Sequence, residues 1–284
     1  MVVLEKWWII ISYYLFLNRG VIMYSEENST GKPLANSNWL LNHHRAKIPE
    51  RTAFAKKLAK LHPTKIVDLG CATGLWLNIL NEIISPDCEF VGIDSDLESL
   101  EVAIARSKTW SRKTSFMKLD IEKEVELIPS ADLILAFNIF PYINDLDTFL
   151  YKLAAKTPRG TLAVRQYDGA SIRFGPMPTS IRQKIEQDLQ VATGNSEKFR
   201  HYDMDRTFTA LQNSAYDNIK YNFELFERTS PFEQEFIPYY EGTMSWTCQH
   251  ISDFAADFLR QWMNDDKYLK NRYFFEVDLV ALLS

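Results

Sequence analysis

The stretch that most constrains this chain is KIVDLGCATGLW, Lys65 to Trp76. Its apolar residues around one acid read as a buried strand, its glycines as a tight turn, and the LWLNILNEII that overlaps its end as a helix. A strand feeding a helix through a glycine turn opens many nucleotide-binding α/β proteins. Spacing excludes the two commonest phosphate loops. A dinucleotide fingerprint needs glycine where Ala72 and Leu75 stand, and a P-loop needs Gly-Lys-Ser/Thr, which occurs nowhere in the sequence. What remains is Asp68-x-Gly70-x-Ala72-x-Gly74. A buried carboxylate there would repel a pyrophosphate, so the pattern favours a ligand carrying positive charge.

The alternation continues downstream. CEFVGID (Cys88–Asp94), TSFMKLD, ADLILAFNIF and GTLAVRQYD read as strands, with amphipathic helices in DLESLEVAIARSK and LDTFLYKLAAKT. The nearly all-apolar ADLILAFNIF suits a central parallel strand buried on both faces. This spacing predicts a parallel α/β sheet with helical crossovers. Beyond Ala170 the rhythm breaks into helices and loops. NIKYNFELFER and NRYFFEVDLVALL then read as two strands able to pair antiparallel, with a helical insert between them, interrupted at Pro238. The predicted organisation is an N-terminal arm and pocket-covering helices over 1–62, then a sheet domain over 63–284 with helical insertions at about 171–217 and 232–270. Within the first part, Tyr24 to Asn38 reads as a loop, and Trp39 to His62 as two helices, the second from about Pro49 to Leu61.

The apolar run WWIIISYYLFL, Trp7 to Leu17, is too short to span a bilayer. It reads as an aromatic helix packed on the domain; a membrane anchor and a natural start at Met23 are the alternatives. A net charge of −5 argues against a nucleic-acid partner, which needs a basic surface. The three cysteines lie far apart, which fits a reducing cytoplasm and offers no metal spacing. His43 and His44 are adjacent, a poor arrangement for a metal, so no metal is expected. Aromatic residues make up 13% of the chain, which suits either an aromatic-lined pocket or an aromatic-rich core.

At the glycine turn the sequence resembles the class I S-adenosylmethionine-dependent methyltransferases, whose first motif is an acid followed by a glycine-rich turn. VDLGCATG matches it with Asp68, Gly70 and Gly74, and Ala72 replaces the middle glycine. The resemblance implies a Rossmann-like fold with a mostly parallel seven-stranded sheet, N-terminal helices and helical caps. It also implies S-adenosyl-L-methionine as cofactor and S-adenosyl-L-homocysteine as product. The acid ending the second strand, which in the family binds the ribose hydroxyls, is matched by Asp94 with Ser95 beside it. The acid after the third strand, near the adenine, is matched by Asp120 with Ile121. Asn138 after the fourth strand would line the methionine side, and Arg45 is a candidate for the methionine carboxylate.

Methyl transfer from a sulfonium is an in-line displacement, in which the protein aligns a lone pair and excludes water. A neutral amine needs no base, and no His-centred base constellation is apparent, which favours nitrogen over oxygen. The acceptor wall is expected from Trp39, Tyr142, Arg165, Tyr167, Asp168, Arg173 and Tyr202. Asp168 is the anion for a cationic acceptor, with Tyr142 helping to position it and no residue assigned as a dedicated base. Capping a turn is the competing role for Asp168, and a strand-to-strand ion pair that for Arg165. NSNWLLNHHRAKIPER and the aromatic cap are similar to methyltransferases of peptide natural-product clusters, in particular the plantazolicin type. That resemblance implies dimethylation of the N-terminal arginine amine of an azole-containing peptide. O-methylation of a small metabolite, and a methyltransferase-like binding subunit without catalysis, remain the rivals.

Overall fold

The computed structural model describes residues 24–27, 33–195, 202–265 and 270–284. The apolar run Trp7–Leu17 and the Met23 start lie outside the described residues. The arm predicted as a loop contains two short strands, β1 (Tyr24–Glu27) and β2 (Pro33–Ala35), paired antiparallel. Two helices follow, α1 (Ser37–Ala46) and α2 (Ile48–Ala59). Asn36 caps the first, its Oδ1 accepting the Trp39 N–H at 2.9 Å. Pro49 falls in the first turn of the second, where a missing N–H costs nothing. Pro238 behaves the same way: it begins a helix instead of interrupting one.

The sheet is built from β3 (Lys65–Leu69), β4 (Glu89–Asp94), β5 (Thr114–Lys118), β6 (Leu133–Phe137) and β7 (Thr161–Tyr167). These five pair in parallel in the order β5-β4-β3-β6-β7. Helices α3 (Leu75–Asn81), α4 (Leu97–Ser107) and α5 (Leu146–Ala154) make crossovers. Beyond β7 come β8 (Arg173–Gly175), α6 (Thr179–Asn195), α7 (Met204–Gln212), β9 (Ile219–Thr229), α8 (Ile237–Thr247), α9 (Asp253–Met263) and β10 (Tyr273–Leu283). One edge of β10 pairs antiparallel with β9 over its whole length. Its other edge is shared by β7 and β8. Among the described residues the mixed sheet therefore has eight strands where the sequence predicted seven; the extra one, Arg173–Gly175, is only three residues long and lies inside the predicted insertion.

Burial follows the pattern that selected the strands. All five residues of β6 are buried, as are Ile66 to Leu69 of β3. Apolar clusters cover both faces of the sheet, one around Val67, Ile134 and Leu279, the other around Phe54, Phe90 and Leu135. A third cluster fills the cap with Phe174, Phe226, Phe236, Tyr239, Trp262 and Phe274. Most of the aromatic excess is therefore core. The chain runs from β3 to β4 and β5 on one side and returns to β6 and β7 on the other, so the carboxyl ends of β3 and β6 flank a crevice. In open α/β sheets this switch point is where ligands bind.

Candidate active site

A cavity of about 350 Å³ opens at that crevice, within the range of small-molecule sites, roughly 300–1,000 Å³. Its walls come from the carboxyl ends of all five parallel strands together with α1 and α2. From the strand ends and the turns after them come Gly70, Ala72, Asp94, Ser95, Asp120, Ile121, Asn138, Ile139 and Tyr167, and around them stand Trp39, Leu40, His43, Tyr142 and Tyr202.

The turn after β3 needs its small residues. Gly70, Ala72 and Gly74 have φ of 66°, 45° and 73°, a region that β-carbons disfavour. A β-carbon on Gly70 would stand 2.5 Å from Ile139 Cγ2. Asp94 locks this turn to the second strand: one carboxylate oxygen accepts the Ala72 N–H at 2.8 Å and the other the Asp96 N–H at 2.9 Å. Asp96 caps α4, leaving Asp94 free of that duty. Burial raises the Asp94 pKa against the pull of these amides. Asp120 accepts the N–H groups of Glu122 and Lys123 and lies 3.5 Å from the Lys123 ammonium. Asn138 adopts φ 57°, and its Oδ1 accepts the Tyr167 N–H at 3.2 Å, tying the ends of β6 and β7 together.

Asp68 sits behind the turn, 2% exposed, and its Oδ2 has no hydrogen-bond partner among the described residues. Burial, reinforced by Asp94, pushes its pKa up to about 8, with Arg51 pulling the other way. A carboxyl in that setting is largely neutral at pH 7, and a cation placed beside it would ionise it.

Four predicted site residues are placed elsewhere. Arg45 is exposed, because on α1 it points away from the buried face that carries His43 and His44. Arg165 is 4% exposed and ion-paired, to Asp278 at 2.7 Å and Glu224 at 3.0 Å; the strand-to-strand reading holds. Arg173 is exposed and 3.6 Å from Glu186. Asp168 turns back on its own loop, accepting the Ala170 N–H at 2.9 Å and the Ser171 hydroxyl at 2.8 Å. It is a turn-former, outside the cavity wall. By contrast Trp39, Tyr142, Tyr167 and Tyr202 converge, the Tyr142 and Tyr202 hydroxyls lying 3.1 Å apart.

The cation in the wall is Arg51, a residue the sequence reading passed over. It lies on the stripe of α2 that also buries Phe54, Ala55 and Leu58, and an arginine on an apolar stripe was the available signal. Its guanidinium reaches His44 Nδ1 at 2.7 Å and His43 Nδ1 at 3.5 Å, and stacks 5.0 Å from the Trp76 ring. Burial lowers its pKa to about 10, which still leaves it cationic. The histidines follow suit. Burial and the nearby cations lower the His43 pKa well below its usual value and bring that of His44 to about 3. Beneath them, Lys47 bonds Glu276 and stands 3.7 Å from Asp278, while the Tyr239 hydroxyl donates to Glu276 at 2.5 Å. Among the described residues no group of three His, Cys, Asp or Glu side chains could hold a metal, and no helix is long and apolar enough to cross a membrane.

A family model described as a methyltransferase domain matches residues 62–223, more than half of the chain. No curated protein matches the sequence. Among solved structures, the plantazolicin methyltransferase BpumL in complex with S-adenosylhomocysteine is 18% identical, covers 87% of this chain and 88% of its own, and has a TM-score of 0.50. A putative methyltransferase from Bacillus halodurans is 11% identical, covers 82% and 97%, and has a TM-score of 0.51. The YcgJ protein from Bacillus subtilis is 12% identical, covers 83% and 97%, and has a TM-score of 0.50. At such identities the likeness is one of fold. The family model carries further: this chain belongs to the methyltransferase-domain family, and its sheet is the Rossmann-like sheet of the class I enzymes.

Proposed function

We propose that the protein transfers the methyl group of S-adenosyl-L-methionine to an amine of a modified peptide or similar small molecule. The cavity fits the cofactor on its own terms. The left-handed turn admits a ligand close to the backbone, and Asp94, Ser95 and Asp120 offer acceptors for hydroxyl and amino groups. Arg51 in the wall offers a cation for a carboxylate, and behind the wall the buried, unpartnered Asp68 carboxyl would ionise if an ammonium or sulfonium came close. The bound cofactor supplies an electrophilic methyl group; the chain's residues do the rest. They fix the two reactants in line, keep water out with Trp39, Leu40 and the tyrosines, and leave the nucleophile to bring its own lone pair.

The observation that carries nitrogen over oxygen is the state of His43. Among the described residues it is the imidazole in the wall, and burial, with Lys47, Arg51 and Arg165 nearby, holds its pKa well below the usual value and weakens it as a base. A hydroxyl would need a base, whereas an α-amine, with a pKa near ~7.7–8.0, is partly neutral at physiological pH. The Trp39, Tyr142, Tyr167 and Tyr202 walls suit a flat heteroaromatic body, and dimethylation of an N-terminal arginine amine on an azole peptide is the specific form proposed. BpumL, a plantazolicin methyltransferase, shares the fold. Since Asp168 is committed to its turn, Glu122 is the carboxylate in the wall on the Tyr142 side that could meet a guanidinium. Its Oε1 already accepts the N–H groups of Asn144 and Asp145, both at 2.9 Å, which would hold it in place. The protein is proposed to work in the cytoplasm without a metal. The test is transfer of labelled methyl to acceptors that share one heteroaromatic body and differ only in amine or hydroxyl. Amine labelling is expected, and preferential hydroxyl labelling would overturn the proposal.

A further inference from the structure

The two histidines of α1 share one partner, and that fixes their protons. A guanidinium has only donors. Arg51 presents one N–H group to His44 Nδ1 at 2.7 Å and another toward His43 Nδ1 at 3.5 Å. Both Nδ1 atoms are therefore acceptors, and each neutral ring carries its proton on Nε2. His43 is also held mechanically. Its ring stacks on Tyr239 with centroids 5.1 Å apart and planes 14° apart, with Trp39 at 6.3 Å and the Tyr167 edge at 6.4 Å. The ring lines the cavity, and Nε2 has no hydrogen-bond partner among the described residues.

We propose that His43 is a substrate-orienting residue whose Nε2–H donates to a lone pair on an atom two carbons away from the reacting amine. A carbonyl oxygen or the ring nitrogen of an azole is the kind of group that fits. The proposal deepens the amine-acceptor reading and rests on it. The charged groups facing His43 all push the same way: Lys47 at the α1–α2 junction, Arg51 on α2 and Arg165 on β7 are cations. Lys47 and Arg165 are paired with Glu276, Asp278 and Glu224. That leaves Arg51, bonded to the two neutral histidines, as the cation that an amine docking beside His43 would meet, and a neutral, nucleophilic amine suits it better than a charged one. The donor then rotates the acceptor so that the nitrogen lone pair, and not the carbonyl or ring nitrogen, faces the methyl group. His43 acts through orientation and takes no proton.

Two measurements on the full chain test this. Long-range 15N–1H spectra should show His43 as the neutral Nε2–H tautomer across roughly pH 5.5–7.5, a window of about one unit either side of the ordinary imidazole value. An Nδ1–H tautomer, or titration near that value, overturns the proposal. The second compares methyl transfer to arginine amide and to agmatine, which lacks the carbonyl. The wild-type preference for the amide in kcat/KM should fall about ten-fold in His43→Phe, which keeps a stacking ring and loses the donor. His43→Gln should restore part of it, and affinity for S-adenosylhomocysteine by calorimetry should stay within about two-fold of wild type, since no donor to that ligand is removed. Comparing preferences within each variant cancels the different basicities of the two amines. An unchanged preference in His43→Phe, or lost S-adenosylhomocysteine affinity with the preference intact, assigns His43 a structural role and refutes the proposal. If wild type binds S-adenosylhomocysteine yet methylates neither amine, the amine-acceptor reading itself is wrong, and this assignment goes with it.

Discussion

Replacing Asp68 by asparagine should stabilise the ligand-free protein and weaken its hold on the cofactor. The carboxyl is 2% exposed, and its pKa is raised from 3.8 to about 8. The sign is set by which state holds the proton. Between these two values the unfolded chain has released the proton while the folded one retains it, so stability falls as pH rises, and the full cost is present above pH 8. At pH 7 the gap from 3.8 is 3.2 units, worth on the order of 4 kcal/mol at about 1.4 kcal/mol per unit. Asparagine buries similar polarity without a proton to lose. The stability advantage of Asp68→Asn should therefore grow by about 1.4 kcal/mol per pH unit between roughly pH 5 and 7.5, then level off. Thermal melts of both proteins without ligand would read this as a gap widening by about 2–4 °C per unit. Calorimetry should show the reverse for S-adenosylhomocysteine, whose ammonium gains from an ionised Asp68; losing one charge-assisted contact costs about 1.5–3 kcal/mol, ten-fold or more in affinity. Melting curves that stay parallel across pH would refute the assignment of a raised pKa. Unchanged affinity would refute the role given to the charge.

Three further substitutions separate the parts of the site. Asp94→Ala removes acceptors from the Ala72 and Asp96 amides as well as from a ribose, so S-adenosylhomocysteine affinity should fall by roughly 3 kcal/mol or more in calorimetry; wild-type affinity would dismiss the second-strand assignment. Asp168→Asn should cost about 1 kcal/mol in denaturant unfolding, through its contacts to Ala170 and Ser171, while leaving acceptor KM nearly unchanged. A large rise in KM would return Asp168 to the acceptor site. Asp278→Asn removes the charge that Arg165 and Lys47 share in the buried network, and urea unfolding should show a loss of about 3–5 kcal/mol; a loss below 1 kcal/mol would mean that the network contributes little.

What the sequence made legible was whatever depends on neighbours along the chain. Strand ends followed by acids placed Asp94 and Asp120 at the carboxyl edge, because continuous apolar runs and short crossovers leave little freedom in where a parallel strand ends. Asn138 was reached through the resemblance to the methyltransferase family, whose fourth signature follows the fourth strand. What escaped depends on partners distant in sequence. Arg165 was offered to the acceptor because nothing in GTLAVRQYD shows that β10 will lay Asp278 against it, 113 residues away. Asp168 sits at the right edge of the sheet, yet Ala170 and Ser171 claim its carboxylate, and an acid that forms a turn cannot be told from one that binds a ligand by spacing alone. Arg45 and Arg51 are six positions apart on two successive helices, and only the break at Lys47 decides which of them faces inward. The aromatic residues divided between a buried cap cluster and the cavity wall, a partition that composition does not contain.

The pH dependence of methyl transfer, measured with two acceptors whose amines differ in pKa, tests the central claim most directly. If the cavity aligns a neutral amine and contributes no base, kcat/KM should rise through the acceptor's own pKa and then plateau, and changing the acceptor should move that limb by the difference between the two amine pKa values. A limb near pH 6.5 that stays in place when the acceptor is exchanged would mean that a histidine of the protein takes the proton, contradicting the account.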